Sequence, residues 1–268
     1  TERAAFRSLA ADAPPGARIP VELRVAVADP FDAYRRARDG PGGVFLETTG
    51  GQPGWGYFAV EPVERLTVNP EVVVADTERA AGGDDQRDTP SLAALAGLLD
   101  GETLVRGDCE IPYPCGAFGW LSYDIARELE TLDGDAVDDR GLPRLQVGVY
   151  DCVAAWPEPH DDAADLRITC CPRIPEAADP DAIDEIYEAA VERASSLATA
   201  ARDGDPDIGD PPVEADDAEF TGDTSEAAFA EHVRQVKEYI RDGDTFQTNL
   251  SQRLTAPAAV HPVAAYDA

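Results

Sequence analysis

The chain has 268 residues, 43% of them hydrophobic, and 53 acidic side chains against 22 basic ones give it a net charge of −31. This length can bury one large hydrophobic core or two modest ones. Phosphate would meet repulsion over most of such a surface, which argues against nucleic acid or an anionic membrane as partner. Apolar runs fall short of the roughly 18 residues of a membrane span, and the N-terminus lacks a secretory pattern. We therefore expect a soluble cytoplasmic protein.

Dispersed acids and a scarcity of lysine are the most unusual features of the composition. Lys237 is the only lysine, and the carboxylates are spread along the chain rather than gathered in one tail. This pattern is typical of proteins kept soluble in molar salt, where screening over a few ångströms suppresses self-repulsion. Five cysteines without a C-x-x-C pair predict buried, reduced thiols and argue against structural zinc. The absence of methionine suggests a fragment.

The first third of the chain has the pattern of β structure. Alternating apolar residues over 19–27 predict a strand with one buried face. Asp29 and Pro30 then predict the start of a short helix over 31–38. Turn residues separate four further predicted strands, at 43–48, 55–60, 65–68 and 72–75. Short strands joined by tight turns indicate an antiparallel meander.

The middle of the chain mixes helices and strands. Ser91 predicts the cap of a helix that ends at Leu99, and the aromatic-rich run 116–123 predicts a buried strand. An antiparallel pair and then a long helix are predicted at 145–156, 166–170 and 181–201.

A change of composition divides the chain into three parts. Periodicity disappears in an acidic segment rich in Gly and Pro, which predicts a linker over 206–223 between a domain at 1–205 and the beginning of another at 224–268. In the last part, a helix begins at Thr224 or Ser225 and ends at Gly243. A strand over 245–254 is predicted to follow, with Gln247, Asn249, Ser251 and Arg253 on one face.

Three stretches together resemble the component I family of chorismate-utilising enzymes, which includes the large subunits of aminodeoxychorismate synthase and anthranilate synthase. The most specific is GDTFQTNLSQR at 243–253, which is similar to the signature that opens the family's chorismate-binding domain. The segment GAFGWLSYDIARELE at 116–130 resembles a second family motif. There we expect Trp120 and Tyr123 to fill a core, and Asp124, Arg127 and Glu130 to pair at helical spacing.

The third stretch, Phe45-Leu46-Glu47-Thr48, is similar to the family's L-L-E-S box. In anthranilate synthases that box lines a pocket for tryptophan, so the resemblance makes Leu46, Glu47 and Thr48 candidate effector-binding residues. Glu47 could receive an ammonium group and the Thr48 hydroxyl could donate to a carboxylate. Thr48 stands where the family usually has serine, and a solvent-facing strand end is the alternative interpretation.

The resemblance implies an α+β fold of two packed antiparallel sheets flanked by helices, which a C-terminal half would complete. The family's catalytic residues and Mg²⁺ ligands lie in that half, so this chain is expected to contain no catalytic residue and no metal ligand, and to be inactive alone. The implied partners are chorismate and a glutamine amidotransferase subunit that supplies ammonia.

The product of the reaction stays open at this point. Asn249 favours the large subunit of aminodeoxychorismate synthase, in the folate and p-aminobenzoate pathway, because that branch tends to have N-L at this place. The alternatives are anthranilate synthase component I, in tryptophan biosynthesis, and a non-catalytic module that binds an aromatic amino acid.

Overall fold

The computed structural model describes residues 1–48, 51–69, 73–75, 90–132, 138–160, 163–214 and 218–268. They form two compact units, Thr1–Pro206 and Asp207–Ala268. The helices are α1 (Arg3–Asp12), α2 (Pro30–Ala37), α3 (Pro90–Leu99), α4 (Pro180–Asp203), α5 (Glu226–Asp242) and α6 (Pro262–Asp267). Within the described residues, no helix combines the length and the apolar character that crossing a bilayer requires.

Eleven strands are present in the described part of the chain. They are β1 (Val21–Val27), β2 (Val44–Leu46), β3 (Gly54–Ala59), β4 (Glu64–Val68), β5 (Val73–Ala75), β6 (Gly116–Leu121), β7 (Leu145–Tyr150), β8 (Cys152–Glu158), β9 (Ala164–Cys170), β10 (Thr221–Gly222) and β11 (Leu254–Thr255). The first unit contains a five-stranded sheet in the order β1-β9-β8-β3-β2 and a four-stranded sheet in the order β5-β4-β7-β6. Every strand pairing is antiparallel.

One face of the five-stranded sheet carries the largest core, because alternate residues of each strand point to the same side. Phe58, Trp156 and Ile168 lie on this face and are fully buried. Helices α1, α2 and α4 cover it. Helix α4 begins where the sequence signals a start: Asp179 accepts a hydrogen bond from the Ala182 nitrogen at 2.8 Å, and Pro180 occupies the first turn.

The opposite face of this sheet packs on the four-stranded sheet. Tyr57, Val153 and Ala155 form a buried cluster there with Tyr150 of β7, and Phe118 of β6 packs against it. A separate core lies under α3, on the other face of the four-stranded sheet. The expected α+β fold with two packed antiparallel sheets and flanking helices is therefore confirmed.

Two predicted features of this region are wrong. The strand predicted at 145–156 is two strands, β7 and β8, which belong to different sheets and meet at Asp151. Trp120 and Tyr123 do not fill a core, since 38% and 95% of their surfaces are exposed. Among the described strands β6 pairs with β7 alone and lies at the edge of its sheet, so the end of this strand and the 3-10 helix after it, Tyr123–Glu128, face outward.

A disulfide corrects the expectation that all cysteines are reduced. Cys152 of β8 and Cys170 of β9 occupy directly opposed positions in the ladder, and their sulfurs are bonded. Cys109, Cys115 and Cys171 are free thiols, as expected.

The second unit contains α5, α6 and the short β10–β11 pair. Residues 245–253, predicted as a strand, have no regular structure, and only Leu254 and Thr255 enter a ladder. A strand is stable only where a neighbour satisfies its backbone groups, and the sequence pattern cannot show whether such a neighbour is present. Residues 215–217 of the predicted linker and residue 72 of a predicted strand lie outside the described part.

Candidate functional site

Phe45 and Leu46 of the predicted effector-binding stretch lie on β2, the edge strand of the five-stranded sheet, and Glu47 and Thr48 follow the end of this strand. In the ladder with β3, Phe45 is opposite Phe58 and Leu46 is opposite Tyr57. Phe45 points to the helix-covered face, where its ring lies 5.4 Å from that of Trp156. This anchor fixes the register of β2, so Leu46 must face the side on which the two sheets meet.

The polar end of the box turns toward solvent. Leu46 is 43% exposed, Glu47 is exposed and Thr48 is half-buried. Thr48 packs closely on Gly54: a methyl group at Gly54 would lie 2.5 Å from the Thr48 hydroxyl oxygen. The three candidate residues therefore lie together where the chain leaves β2 on its way to β3. The Thr48 side chain packs against the start of β3.

Tyr57 is a residue of this region that the sequence pattern did not single out. It is 7% exposed, and its hydroxyl is buried and donates no hydrogen bond to a described residue, although the backbone of Tyr113 lies close enough to interact with its oxygen. Burial raises the pKa of this hydroxyl. Its ring lies 5.8 Å from Phe118 and 6.1 Å from Tyr113, which come from the other side of the sheet interface. A buried hydroxyl that donates no hydrogen bond is costly, and its proton is available to a ligand.

The motif at 116–130 has a structural function in this chain. Arg127 pairs with Asp124 at 3.1 Å, as the helical spacing predicts. The buried carboxylate of Glu128, which the sequence analysis left unassigned, accepts hydrogen bonds from the Ser91 backbone nitrogen at 2.9 Å and hydroxyl at 2.6 Å. Arg144 lies 3.3 Å from the same carboxylate. The motif thus anchors the first turn of α3, in which Ser91 is the second residue rather than the predicted cap. Glu128 and Ser91 are 37 residues apart, so no local sequence pattern signals this contact.

The motif at 243–253 lies in the second unit, directly after α5. Gly243 adopts a left-handed conformation, with φ of 85°, and the Asp244 nitrogen donates to the Tyr239 carbonyl at 2.9 Å. This is the helix end that the glycine predicts. Gln247, Asn249 and Ser251 are exposed, and Phe246 is 92% exposed. The motif is therefore exposed at the surface of its unit.

Magnesium does not fit the described part of the chain. These residues include no group of three or more His, Cys, Asp or Glu side chains that could hold a metal ion. Mg²⁺ prefers several oxygen ligands in octahedral geometry, so a site in this part would require such a group.

Comparison with known proteins places the motifs in context. Residues 48–268 match the family described as chorismate binding enzyme, and the chain belongs to that family. It is similar to anthranilate synthase component 1 1 of Haloarcula marismortui, with 56% identity over 268 residues that cover the whole chain and 51% of the relative. Anthranilate synthase component 1 3 of the same organism is 53% identical over 273 residues, covering 100% of this chain and 50% of the relative.

A more distant relative is named for the aminodeoxychorismate synthase branch. Aminodeoxychorismate synthase component 1 of Bacillus subtilis is 29% identical over 153 residues, which cover 56% of this chain and 30% of the relative. The chain spans about half the length of the two Haloarcula relatives.

Proposed function

We propose that the chain is part of an anthranilate synthase component 1, the subunit that converts chorismate to anthranilate with ammonia from a glutamine amidotransferase. The observation that carries this proposal is the 56% identity that extends over the entire chain, motif at 243–253 included. The match to aminodeoxychorismate synthase is about half as high in identity and covers 56% of the chain. Asn249 favours aminodeoxychorismate, but a single exposed residue is weaker support than similarity along the whole chain.

The structure supports a division of roles within this proposal. The described residues of the first unit form packed sheets, with Leu46–Thr48 at the end of β2. Those of the second unit supply the exposed motif after α5. Chorismate, Mg²⁺ and the amidotransferase are assigned to the full-length enzyme, and Mg²⁺ would there offset negative charge on the substrate.

The test uses the full-length protein in molar KCl with chorismate, Mg²⁺ and ammonium. We expect the fluorescence of anthranilate to accumulate. A parallel reaction with an added aminodeoxychorismate lyase shows whether p-aminobenzoate forms instead. Anthranilate alone supports the proposal, and p-aminobenzoate alone overturns it in favour of the aminodeoxychorismate branch. Failure to consume chorismate in either reaction supports a non-catalytic module.

We also propose that Leu46, Glu47 and Thr48 bind the ammonium and carboxylate groups of an aromatic amino acid, tryptophan being the first candidate. Two observations favour a ligand here: the exposed Glu47 carboxylate at the strand end, and the buried Tyr57 hydroxyl opposite Leu46 on the same face of the hairpin. A charge-assisted hydrogen bond between Glu47 and the ammonium would contribute about 1.5–3 kcal/mol.

Calorimetric titration of the full-length protein with tryptophan tests this assignment. Glu47→Gln should weaken binding by roughly tenfold or more, since 1.4 kcal/mol is a factor of ten. Glu61→Gln, a change at an exposed carboxylate two residues after β3, should leave the affinity unchanged. Equal affinities for wild-type protein and Glu47→Gln would contradict the site. Such a result would leave the anthranilate synthase proposal intact, because that proposal is tested by the product formed from chorismate.

A further inference from the structure

Two free cysteines from distant parts of the chain lie against each other beside the packed sheets of the first unit. Cys115 immediately precedes β6 and Cys171 immediately follows β9. The Cys171 sulfur lies 3.4 Å from the carbonyl oxygen of Pro114, the residue bonded to Cys115, and the two thiols are close enough to affect each other's pKa. Cys115 is half-buried and Cys171 is buried. The pair therefore joins the edge strand of the four-stranded sheet to the end of a strand in the five-stranded sheet.

Contacts of the neighbouring backbone hold this pair in place. The Pro114 carbonyl accepts a hydrogen bond from the Thr169 hydroxyl at 2.6 Å and lies 3.4 Å from the Cys171 sulfur. The Cys171 nitrogen donates to the Asp151 carbonyl at 2.6 Å. Residues on both sides of the thiol contact are thus fixed by bonds that do not involve Cys115 itself.

The surroundings give the two thiols different properties. The neighbouring Cys171 thiol lowers the pKa of Cys115 and burial raises it; with the positive charge of Arg18 added, the net pKa of Cys115 is lowered. Burial raises the pKa of Cys171, and its contact with Cys115 adds to the increase. Cys115 is therefore the thiol that ionises first and the one that a reagent in solvent reaches first. Thiolates are the attacking species in thiol–disulfide exchange.

We propose that Cys115 and Cys171 form a reversible redox pair that a low-molecular-weight disulfide oxidises to an intramolecular disulfide between the two sheets. The Cys115 thiolate attacks one sulfur of the small disulfide, whose S–S bond breaks and releases one small thiolate. Cys171 loses its proton to solvent and attacks the Cys115 sulfur, which releases the second small thiolate. Two protein thiols are oxidised, and one small disulfide is reduced to two thiols.

The existing disulfide is distinct from this pair. Cys170 is buried in the core under the helices, whereas the adjacent Cys171 contacts Pro114 and Cys115. Cys170 is thus part of the existing disulfide, and its neighbour Cys171 is part of the free pair. Oxidation of Cys115 and Cys171 does not require exchange with the Cys152–Cys170 disulfide.

The experiment exposes the full-length protein to oxidised glutathione at increasing ratios to reduced glutathione. The remaining thiols are then alkylated, and peptides are mapped without reduction. We expect a cross-linked peptide pair containing Cys115 and Cys171, and we expect reduced glutathione to reverse it. Cys109→Ser should form the same cross-link, because Cys109 is not a member of the pair.

Several results would overturn the proposal. A glutathione adduct that persists on Cys115 while Cys171 remains open to alkylation would show that the second step does not occur. Alkylation of both residues at every ratio would show that neither step occurs. A cross-link that still includes Cys171 in Cys115→Ser would assign a different partner. The wild-type map decides the question even if a variant fails to fold.

Discussion

Arg193 of α4 donates two hydrogen bonds, of 2.9 and 2.6 Å, to the carboxylate of Asp151, the residue at which the chain passes from one sheet to the other. Asp151 is 9% exposed, and its carbonyl accepts the Cys171 nitrogen. One residue therefore joins the helix layer, the end of β7 and the end of β9. A bidentate pair of this kind fixes orientation as well as distance.

Removal of the Asp151 carboxylate should loosen this junction. We expect Asp151→Ala to lower the free energy of unfolding by about 1–2 kcal/mol, because two charge-assisted hydrogen bonds are lost while water still reaches the half-exposed Arg193. Urea unfolding followed by circular dichroism measures the change. Arg202→Ala is the matched control: Arg202 pairs with the exposed Asp203 near the end of the same helix, and its loss should leave stability almost unchanged because water screens the pair. Similar decreases in the free energy of unfolding of Asp151→Ala and Arg202→Ala would show that the Asp151–Arg193 pair contributes no more to stability than an exposed pair.

Glu128 should be essential for the attachment of α3. Its carboxylate satisfies the Ser91 nitrogen and hydroxyl and is buried, so Glu128→Ala leaves two donors unpaired. We expect a loss of about 2–4 kcal/mol in the free energy of unfolding. Glu130→Ala, which alters an exposed carboxylate two residues later, should change stability by less than about 0.5 kcal/mol. An unchanged melting temperature in Glu128→Ala would contradict this assignment.

Gly56 is required by the packing of Trp156. A methyl group at position 56 would lie 2.1 Å from two atoms of the buried indole ring. We expect Gly56→Ala to destabilise the protein by about 1–3 kcal/mol or more, because the ring has no free space into which it can move. The control is Gly222→Ala, where the added methyl would meet the Leu254 side chain at an ordinary 3.4 Å. Equal melting temperatures for Gly56→Ala and Gly222→Ala would refute the packing argument.

Glu22 should make stability depend on pH in the acidic range. Burial raises the pKa of Glu22, but hydrogen bonds from Arg167 and Arg24 outweigh it, and the net pKa is lowered. A lowered pKa in the folded state gives stabilisation that is complete above the unfolded value, roughly 4.3, and is lost as the pH falls through the folded value. The stability difference between wild-type protein and Glu22→Gln should therefore be constant above about pH 5.5 and shrink below it.

Denaturant titrations at a series of pH values measure this difference. Glu176→Gln, at an exposed site after β9, should parallel the wild type throughout. A difference between wild-type protein and Glu22→Gln that grows as the pH falls would have the wrong sign for a carboxylate with a lowered pKa.

Salt should control the folded state of the whole chain. A net charge of −31 produces strong self-repulsion, and the screening length falls from about 10 Å at 0.1 M salt to about 3 Å at 1 M. We expect the protein to lose its far-ultraviolet circular dichroism on dialysis from molar KCl into dilute buffer, and to regain it when KCl is restored. Full stability in dilute buffer would show that the acidic surface does not depend on screening.

Local patterns predicted most elements of the first unit because each depends on its own residues. Helix α4 has a capping aspartate, a first-turn proline and an apolar stripe, and the predicted 181–201 differs from it by one or two residues at either end. The strands 55–60 and 65–68 were predicted within one residue for similar reasons. By contrast, α1 was not predicted, because the sequence pattern there gave no clear signal. In the structure α1 packs against α4, which is distant in the sequence.

The wrong predictions depended on distant parts of the chain. Whether Trp120 is buried depends on what lies beside β6, and whether 245–253 forms a strand depends on a ladder partner. Neither can be read from alternation alone. For the candidate site, the resemblance supplied Leu46, Glu47 and Thr48, whose role in binding is still a prediction. The buried Tyr57 hydroxyl became visible only through the register of β2 and β3.

The pairing of β1 with β9 has a consequence for synthesis of the protein in the cell. Val27 of β1 pairs with Ala164, and Val21 pairs with Cys170. A ribosome that adds about 5–20 residues per second must therefore work for roughly 7 to 30 seconds after β1 emerges before its partner exists. Until then the apolar face of β1 has no native cover, and a fold with such distant contacts closes slowly. We expect the nascent chain to spend this interval in need of chaperone protection.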